Sequence, residues 1–437
     1  MQYNLEQRNA IERIVQFAQT EFPEPFSVVG PGGSGKTTCV MDAVRQVLEL
    51  GGNVLLCAPT NKAVTVLQET AKAAGLGGHA GIGFSTLHKA LGLALLPTSE
   101  TRQIKKNGEG FLHEYDVIII DECSMLSRRV IEDVLLTEIT AYGHRVMFMG
   151  DEKQVFPVRE RESLVFSLFD QQRLSRVERF GSESDIAVIT NELREAIELN
   201  RPYTRELYQS ESLDYLPDKF FKQEVVKVFS DHSVDPLKDA RVMAWRNSTV
   251  DKYNRLIRAG RYGEHADPYV EGEMVLAGSS IGDKEAAFAH VDQPLKVIHV
   301  ERNRPYAWDA DLPDDIYIVD KVTAQTESGE TRILNVITDE GRDQFEEELN
   351  RRMMIAKRSD DRRAWPEYYR FLESFDSLKY PYCTTVHKAQ GSTYDCAYVD
   401  VRDITSSGNR PERLRLLYVA CSRPRKKLIL NNRIIRA

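Results

Sequence analysis

The stretch "VVGPGGSGKTT" at residues 28 to 38 spaces Gly30, Gly35, Lys36 and Thr37 as G-x-x-x-x-G-K-[ST], after an apolar run and before a helix-like pattern, "TTCVMDAVRQVLEL". Backbone N–H groups in such a loop, at a helix N-terminus, cradle phosphate oxygens, so Gly32, Gly33 and Thr38 join Gly30 and Gly35 in the expected cradle. Lys36 is expected to reach the outer phosphates and the Thr37 hydroxyl to ligate Mg²⁺. The chemistry is that of a nucleoside triphosphate.

Hydrolysis needs a second acidic centre, which holds the metal and activates water. "DVIIIDECSM" at 116 to 125 supplies one at the end of an apolar run. Asp121 is expected to hold Mg²⁺, directly or through water, and Glu122 to polarise the attacking water. This pair favours hydrolysis over phosphoryl transfer to a small molecule. Downstream, "MFMGDEKQVFPV" ends a buried strand in Gly150-Asp151 and sets Gln154 to hydrogen-bond a γ-phosphate or the lytic water. An ordinary strand-end turn is the alternative there.

Several elements must position these groups. "FSVVG", "NVLLCAPT", "DVIIID" and "HRVMFMGD" are near-continuous apolar strands alternating with helix patterns, which implies a parallel sheet covered on both faces. Residues 1–170 are therefore expected to form a first α/β domain. A second series, "ARVMAWRN", "DCAYVDV" and "KKLILNN", places another over 171–269 and 377–437. Between its parts, 270–341 has short alternating strands and Gly/Asp turns, the pattern of an inserted small β-barrel, and 342–376 reads as a charged helical arm facing water. Residues 91–112 break the strand-helix rhythm with Pro, Ser, Thr, Asn and Gly, as a protruding hairpin would. No internal repeat stands out.

At 437 residues the chain exceeds one ordinary core. Its formal net charge of -8 argues against coating nucleic acid by bulk electrostatics, so any strand must be held in a local groove. The six cysteines are scattered, without the spacing of a disulfide framework or a zinc site. The N-terminus has no secretory pattern and no apolar run approaches the ~18 residues of a membrane helix, so a cytoplasmic protein without membrane partners is expected.

In order and spacing, the P-loop, "DECSM", "GDEKQVFPV", "LSRVERF", "TTVHKAQGSTYD" and "LLYVACSRPR" resemble the motif series of superfamily 1 helicases, most closely the RecD-like branch. The resemblance runs from Gln7 to Arg423. It implies an α/β fold of two RecA-like P-loop domains with parallel sheets, a short hairpin inserted in the first as a strand-separating pin and a small β-barrel in the second. ATP and Mg²⁺ would sit between the two domains. It further implies that Gln7 reads the adenine edge, that Arg179 and Arg423 reach the γ-phosphate as arginine fingers, and that Gln390 and Gly391 face the nucleotide. Without the resemblance, either arginine would read as a surface salt bridge.

On the nucleic-acid side the resemblance assigns Pro59, Thr60, Asn61, Thr86 and His88 in the first domain, and Asn247, Thr385 and His387 in the second. Each Thr or His has a local capping or core role as its alternative. The implied activity is translocation on single-stranded DNA, 5′ to 3′, with unwinding of forked DNA in replication, recombination or repair. A single-strand-binding protein or replisome component is the implied protein partner. Phe156 and the "VACSR" ending depart from the usual pattern, and Phe111 and Leu96 are the candidate wedge residues of the hairpin. Competing readings are an RNA-directed helicase, a P-loop kinase or nucleotide switch with an interaction barrel, and a noncatalytic loading factor.

Overall fold

The computed structural model describes residues 3–96, 103–106, 108–157, 160, 162–176, 184–282, 287–309, 311–312, 315–359, 361 and 363–437. Contacts divide the chain into two units, one of 1–92, 109–261 and 382–437, the other of 93–108 and 262–381.

The first unit contains two parallel sheets. Strands β1 (Phe26–Val29), β2 (Val54–Ala58), β3 (Ile82–Thr86), β4 (Val117–Ile120), β5 (Val146–Gly150) and β6 (Asp170–Arg173) line up in the order β3-β2-β4-β5-β1-β6. β1, β2, β4 and β5 are buried along their whole length, which is why they read as unbroken apolar runs. The edge strand β6 is "DQQR", partly exposed, and carries no apolar signal; it pairs with β1 and extends the first sheet past residue 170. The helix Leu5–Gln19 begins in a capping box between Asn4 and Gln7 and buries Ala10, Ile11, Ile14 and Phe17 in one core with the P-loop helix Lys36–Glu49.

The second sheet takes β7 (Leu213–Tyr215), β8 (Ala240–Ala244), β9 (Cys383–Thr385), β10 (Tyr394–Val399) and β11 (Pro424–Leu430) in the order β7-β11-β10-β8-β9. All its pairings are parallel. On one face the helices Asp185–Glu198 and Arg410–Cys421 pack into a core with Val399, Leu428 and Leu430. On the other, Phe221 and Tyr253, from the helices Asp218–Ser230 and Asn247–Tyr262, meet edge-on.

The second unit is built on a five-stranded sheet in the order Thr331–Ile337, Ile316–Gln325, Pro294–Ala307, Met274–Ala277, Leu378–Lys379, antiparallel throughout. An isolated bridge joins Val336 to Asp376, two residues before the last strand. The expectation of a solvated arm at 342–376 is corrected here. Phe345, Leu349, Phe371 and Phe375 of its helical region pack with Trp308, Tyr317 and Val319, and Arg352 lies 4.6 Å from the Trp308 and Phe371 ring centroids, so one face is packed rather than solvated. The inserted segment does form a hairpin: Leu93–Leu96 pairs antiparallel with Gln103–Lys106. In space it groups with the second unit. Its tip at 97–102 lies outside the described residues. Leu96 is the last ladder residue before the tip, whereas Phe111 lies past the base, its N–H donating to the Ala90 carbonyl.

Candidate nucleotide site and strand-facing residues

The P-loop bends where only glycine is comfortable. Gly33 and Gly35 have φ of 83° and 84°, and a side chain on Gly30 would lie 2.4 Å from the Leu174 carbonyl oxygen. Lys36 Nζ donates to the carbonyls of Gly30 and Pro31 at 2.8 and 2.9 Å. Burial lowers its pKa, and the carboxylates of Asp151, Asp121 and Glu122 oppose that shift. The loop therefore holds a cation on its own carbonyls, beside three acidic groups.

Gln7 lies against this loop. Its amide oxygen accepts from Asn4 N at 3.1 Å and its amide nitrogen donates to the Ser34 carbonyl at 3.2 Å. One bond at each end ties Gln7 to the chain, so it fixes the first helix to the P-loop while its amide keeps a further N–H and a further lone pair.

A cleft of about 490 Å³ opens from the loop. From the first sheet it is lined by Lys36, Thr37, Asp121, Glu122, Asp151 and Gln154, and from the second by Gly391, Thr393, Arg423 and Arg425. Asp121 is pushed up to about 7 by burial, with the Glu122 charge adding to the shift. Glu122 has φ 50°, a left-handed backbone that costs a non-glycine residue of order 1–3 kcal/mol and recurs at functional turns. Gln154 is buried, and its amide oxygen has no hydrogen-bond partner among the described residues. An acceptor left bare beside the phosphate loop suits a donor such as water.

The second sheet reaches the same place. Gln390 Nε2 donates to Ser124 Oγ at 3.0 Å and approaches Glu122 at 3.4 Å. Gly391, at φ 75°, lies so close that a Cβ would be 3.2 Å from Glu122 Oε1. Arg423 is 3% exposed and donates to the carbonyls of Val419 and Ser392 and to Ser422 Oγ, at 2.9, 3.3 and 2.7 Å. Among the described residues all its acceptors are neutral. A Cβ on Gly32 would lie 3.7 Å from its terminal nitrogen, so a buried, unneutralised guanidinium faces the phosphate loop. Arg179, the other expected finger, lies outside the described residues.

Three residues absent from the sequence reading hold the Gly150–Phe156 segment. Buried Asp151 accepts from Arg194 at 2.9 Å and from the Tyr418 hydroxyl. Arg415 donates to the carbonyls of Glu152 and Gln154 at 2.7 and 2.9 Å, and its guanidinium lies 3.9 Å from the Phe156 ring centroid. Burial lowers the pKa of Arg415 to about 10 against the pull of Asp151 and Glu152. Phe156, odd by family pattern, is thus the platform for an arginine. Tyr418 was legible as part of "LLYVACSRPR", but Arg194 sits in an amphipathic helix without a motif. Arg194→Ala would strand the Asp151 carboxylate, 0% exposed as a side chain, and should cost about 3–5 kcal/mol. Urea unfolding checks this; a loss below about 0.5 kcal/mol would mean that the pair is not holding the segment.

The strand-facing candidates sit after the carboxyl ends of the parallel strands. Thr60, after Pro59, caps the helix Asn61–Ala73 by accepting from Ala63 N at 3.2 Å, and Asn61 is exposed. Thr86 ends β3 and Thr385 ends β9; each caps a four-residue helix, accepting from Lys89 N and Lys388 N at 3.4 and 3.3 Å. These are local caps, yet each hydroxyl keeps its proton to donate. His88 and His387 follow two residues on, and burial lowers the pKa of both, with Glu412 opposing at His387, so both are neutral at pH 7. "STLHKA" at 85–90 and "TTVHKA" at 384–389 are thus one device used twice, a six-residue echo too short to stand out as a repeat. Asn247 is exposed at the start of the helix that follows β8.

Known proteins can now be set beside this geometry. Residues 2–201 match the family model described as an AAA domain, and 380–431 that of a UvrD-like helicase C-terminal domain. The chain is 27% identical to the uncharacterized protein R530 of Acanthamoeba polyphaga mimivirus, covering 98% of this chain and 99% of that one. It is 25% identical to the ATP-dependent DNA helicase dda of Enterobacteria phage T4, over 90% and 91% of the two chains. Among solved structures, Bacteroides Pif1 helicase in complex with ADP-AlF3 and single-stranded DNA covers 99% of this chain and 93% of its own, with TM-score 0.53 and 17% identity. A Pif1 structure at forked double-stranded DNA gives TM-score 0.55 at 17% identity, covering 99% and 92%. Fold, cleft and sequence matches support one class, the ATP-dependent superfamily 1 helicases with two RecA-like domains. Within that class the resemblance is to the Dda type. No described helix is long and apolar enough to cross a membrane.

Proposed function

We propose that the protein is a DNA helicase that travels 5′ to 3′ on single-stranded DNA and opens forked DNA during replication, recombination or repair. The observation that carries this reading is the segment 385–391, in which Thr385 ends β9 and His387 follows it while Gln390 and Gly391 press on Glu122. One short stretch of chain then links phosphate state to strand grip. Glu122 takes a proton from the attacking water, Gln154 Oε1 accepts from that water, and Lys36 and Arg423 face the charge that builds on the transferred phosphoryl group. Thr37 and Asp121 offer only oxygen donors in the cleft, a set that fits Mg²⁺, and these two would hold it. Bound Mg²⁺ would neutralise phosphate charge.

The strand side uses hydroxyl, amide and neutral imidazole groups, which bond phosphates without reading bases and release readily during a step. The T4 relative is named as a DNA helicase, and the Pif1 neighbours were captured with single-stranded or forked DNA, which supports DNA as the track. Forked DNA and a single-strand-binding or replisome protein are the partners this reading implies. ATP turnover measured with DNA or RNA oligomers of one sequence should rise at least tenfold with DNA and much less with RNA, on the order of the stimulation a coupled motor requires. Equal stimulation would make the protein an RNA-directed motor as readily as a DNA one, and no stimulation by either would leave a P-loop switch.

A further inference from the structure

The chain leaves the carboxyl ends of β8 and β10 in opposite directions across the second sheet. β8 leads on to β9 at one edge, whereas β10 leads to β11 on its other side. Between the two strands the connections diverge, which in open α/β sheets leaves a crevice where ligands bind. A cavity of about 320 Å³ sits there, lined by Lys222, Arg246, Lys252, Arg402, Asp400 and Asp403 among others. It is separate from the nucleotide cleft and shares no lining residue with it.

The acidic groups of this cavity are already satisfied. Asp403, 5% exposed, accepts from the backbone N of Trp245 and Arg246, from Arg246 Nε and from Thr249 Oγ1, at 2.8, 2.9, 2.6 and 2.8 Å. Asp400, 7% exposed, accepts from the Tyr253 hydroxyl, Asn431 Nδ2 and Asp403 N, at 2.9, 2.6 and 2.9 Å. Asp218 is paired with Lys222 at 2.6 Å. Lys252 and Arg402, by contrast, are exposed, and neither side chain has a hydrogen-bond or ion-pair partner among the described residues. Two uncompensated cations thus face a cavity whose carboxylates are turned into the protein. Such a site takes an anion, and its volume admits a nucleotide unit.

We propose that this crevice seats a backbone phosphate of the bound single strand, held by Lys252 and Arg402, beyond the contacts at Thr385 and Asn247. The inference rests on the reading of the protein as a DNA motor. Continuity of the surface argues for it: β9 neighbours β8, β8 neighbours β10, and Asn247 directly follows Arg246 of the cavity wall. A strand lying over Thr385 and Asn247 therefore runs on into the crevice.

The test is equilibrium binding of a labelled oligodeoxynucleotide over a salt series, for the wild-type protein, Lys252→Gln/Arg402→Gln and Lys252→Arg/Arg402→Lys. Each phosphate contact on a single strand contributes about 0.7 to the slope of log affinity against log salt, so the glutamine pair, which removes one phosphate seat, should lower the slope by about 0.7. The charge-preserving pair should restore it, which separates lost charge from lost fold. Wild-type binding with an unchanged slope in the glutamine pair would overturn the seat alone. No wild-type binding at all would overturn the motor reading with it. A third arm adds inorganic phosphate at constant ionic strength. If the salt slopes of wild type and the glutamine pair are equal while phosphate binds the wild type and not the glutamine pair, the crevice holds free phosphate and the strand assignment is wrong.

Discussion

Arg423→Ala is expected to bind ATP almost as wild type does and to turn it over about 10³-fold or more slowly at saturating single-stranded DNA, the scale of a lost arginine finger. A buried guanidinium is costly unless something anionic completes its surroundings. Among the described residues Arg423 has two carbonyls and a hydroxyl for acceptors, and it faces the P-loop across the cleft. Its charge is therefore available to a transferring phosphoryl group. Binding is little affected, because the P-loop cradle is supplied by the first sheet alone. A nucleotide-binding titration beside steady-state turnover separates the two. Normal turnover in this variant would remove Arg423 from the reaction.

Glu122→Gln is the second large effect. The substitution keeps the shape and the Gln390 contact but removes the carboxylate proposed to take the proton from water, so hydrolysis should fall by about 10²–10⁴-fold with nucleotide binding retained. Glutamine tolerates the φ of 50° no worse than glutamate, so stability should stay close to wild type. Quenched-flow hydrolysis checks the chemical step. A loss of less than tenfold would move the base role elsewhere.

Legibility in the sequence followed burial. β1, β2, β4 and β5 are buried on both faces, and their apolar runs located the first sheet and the phosphate loop together. β6 and β9 were not read as strands: β6 is a polar edge, and β9 is a three-residue edge strand whose Cys383 backbone is matched by the Asn254 amide at 2.8 and 3.4 Å. The helical part of 342–376 looked solvated because its charges outnumber its aromatics, yet spacing puts Phe345, Leu349 and Phe371 on the face that packs. Within the cleft, Lys36, Asp121 and Glu122 announced themselves by position after apolar strands. Arg194 and Arg415 could not, because what they grip, a carboxylate and two carbonyls, is distant in sequence and near only after folding. Gln7 shows a different limit: its type was legible, but the structure ties its amide to Asn4 and Ser34.

The central proposal is that ATP turnover in the cleft drives travel along a strand. Its most direct test is unwinding of two matched DNA duplexes, one with a 5′ and one with a 3′ single-stranded tail, in ATP and Mg²⁺. Strand separation is expected from the 5′-tailed substrate alone and is lost when ATP is withheld. Exclusive use of the 3′ tail, or no separation while DNA still stimulates hydrolysis, would contradict it.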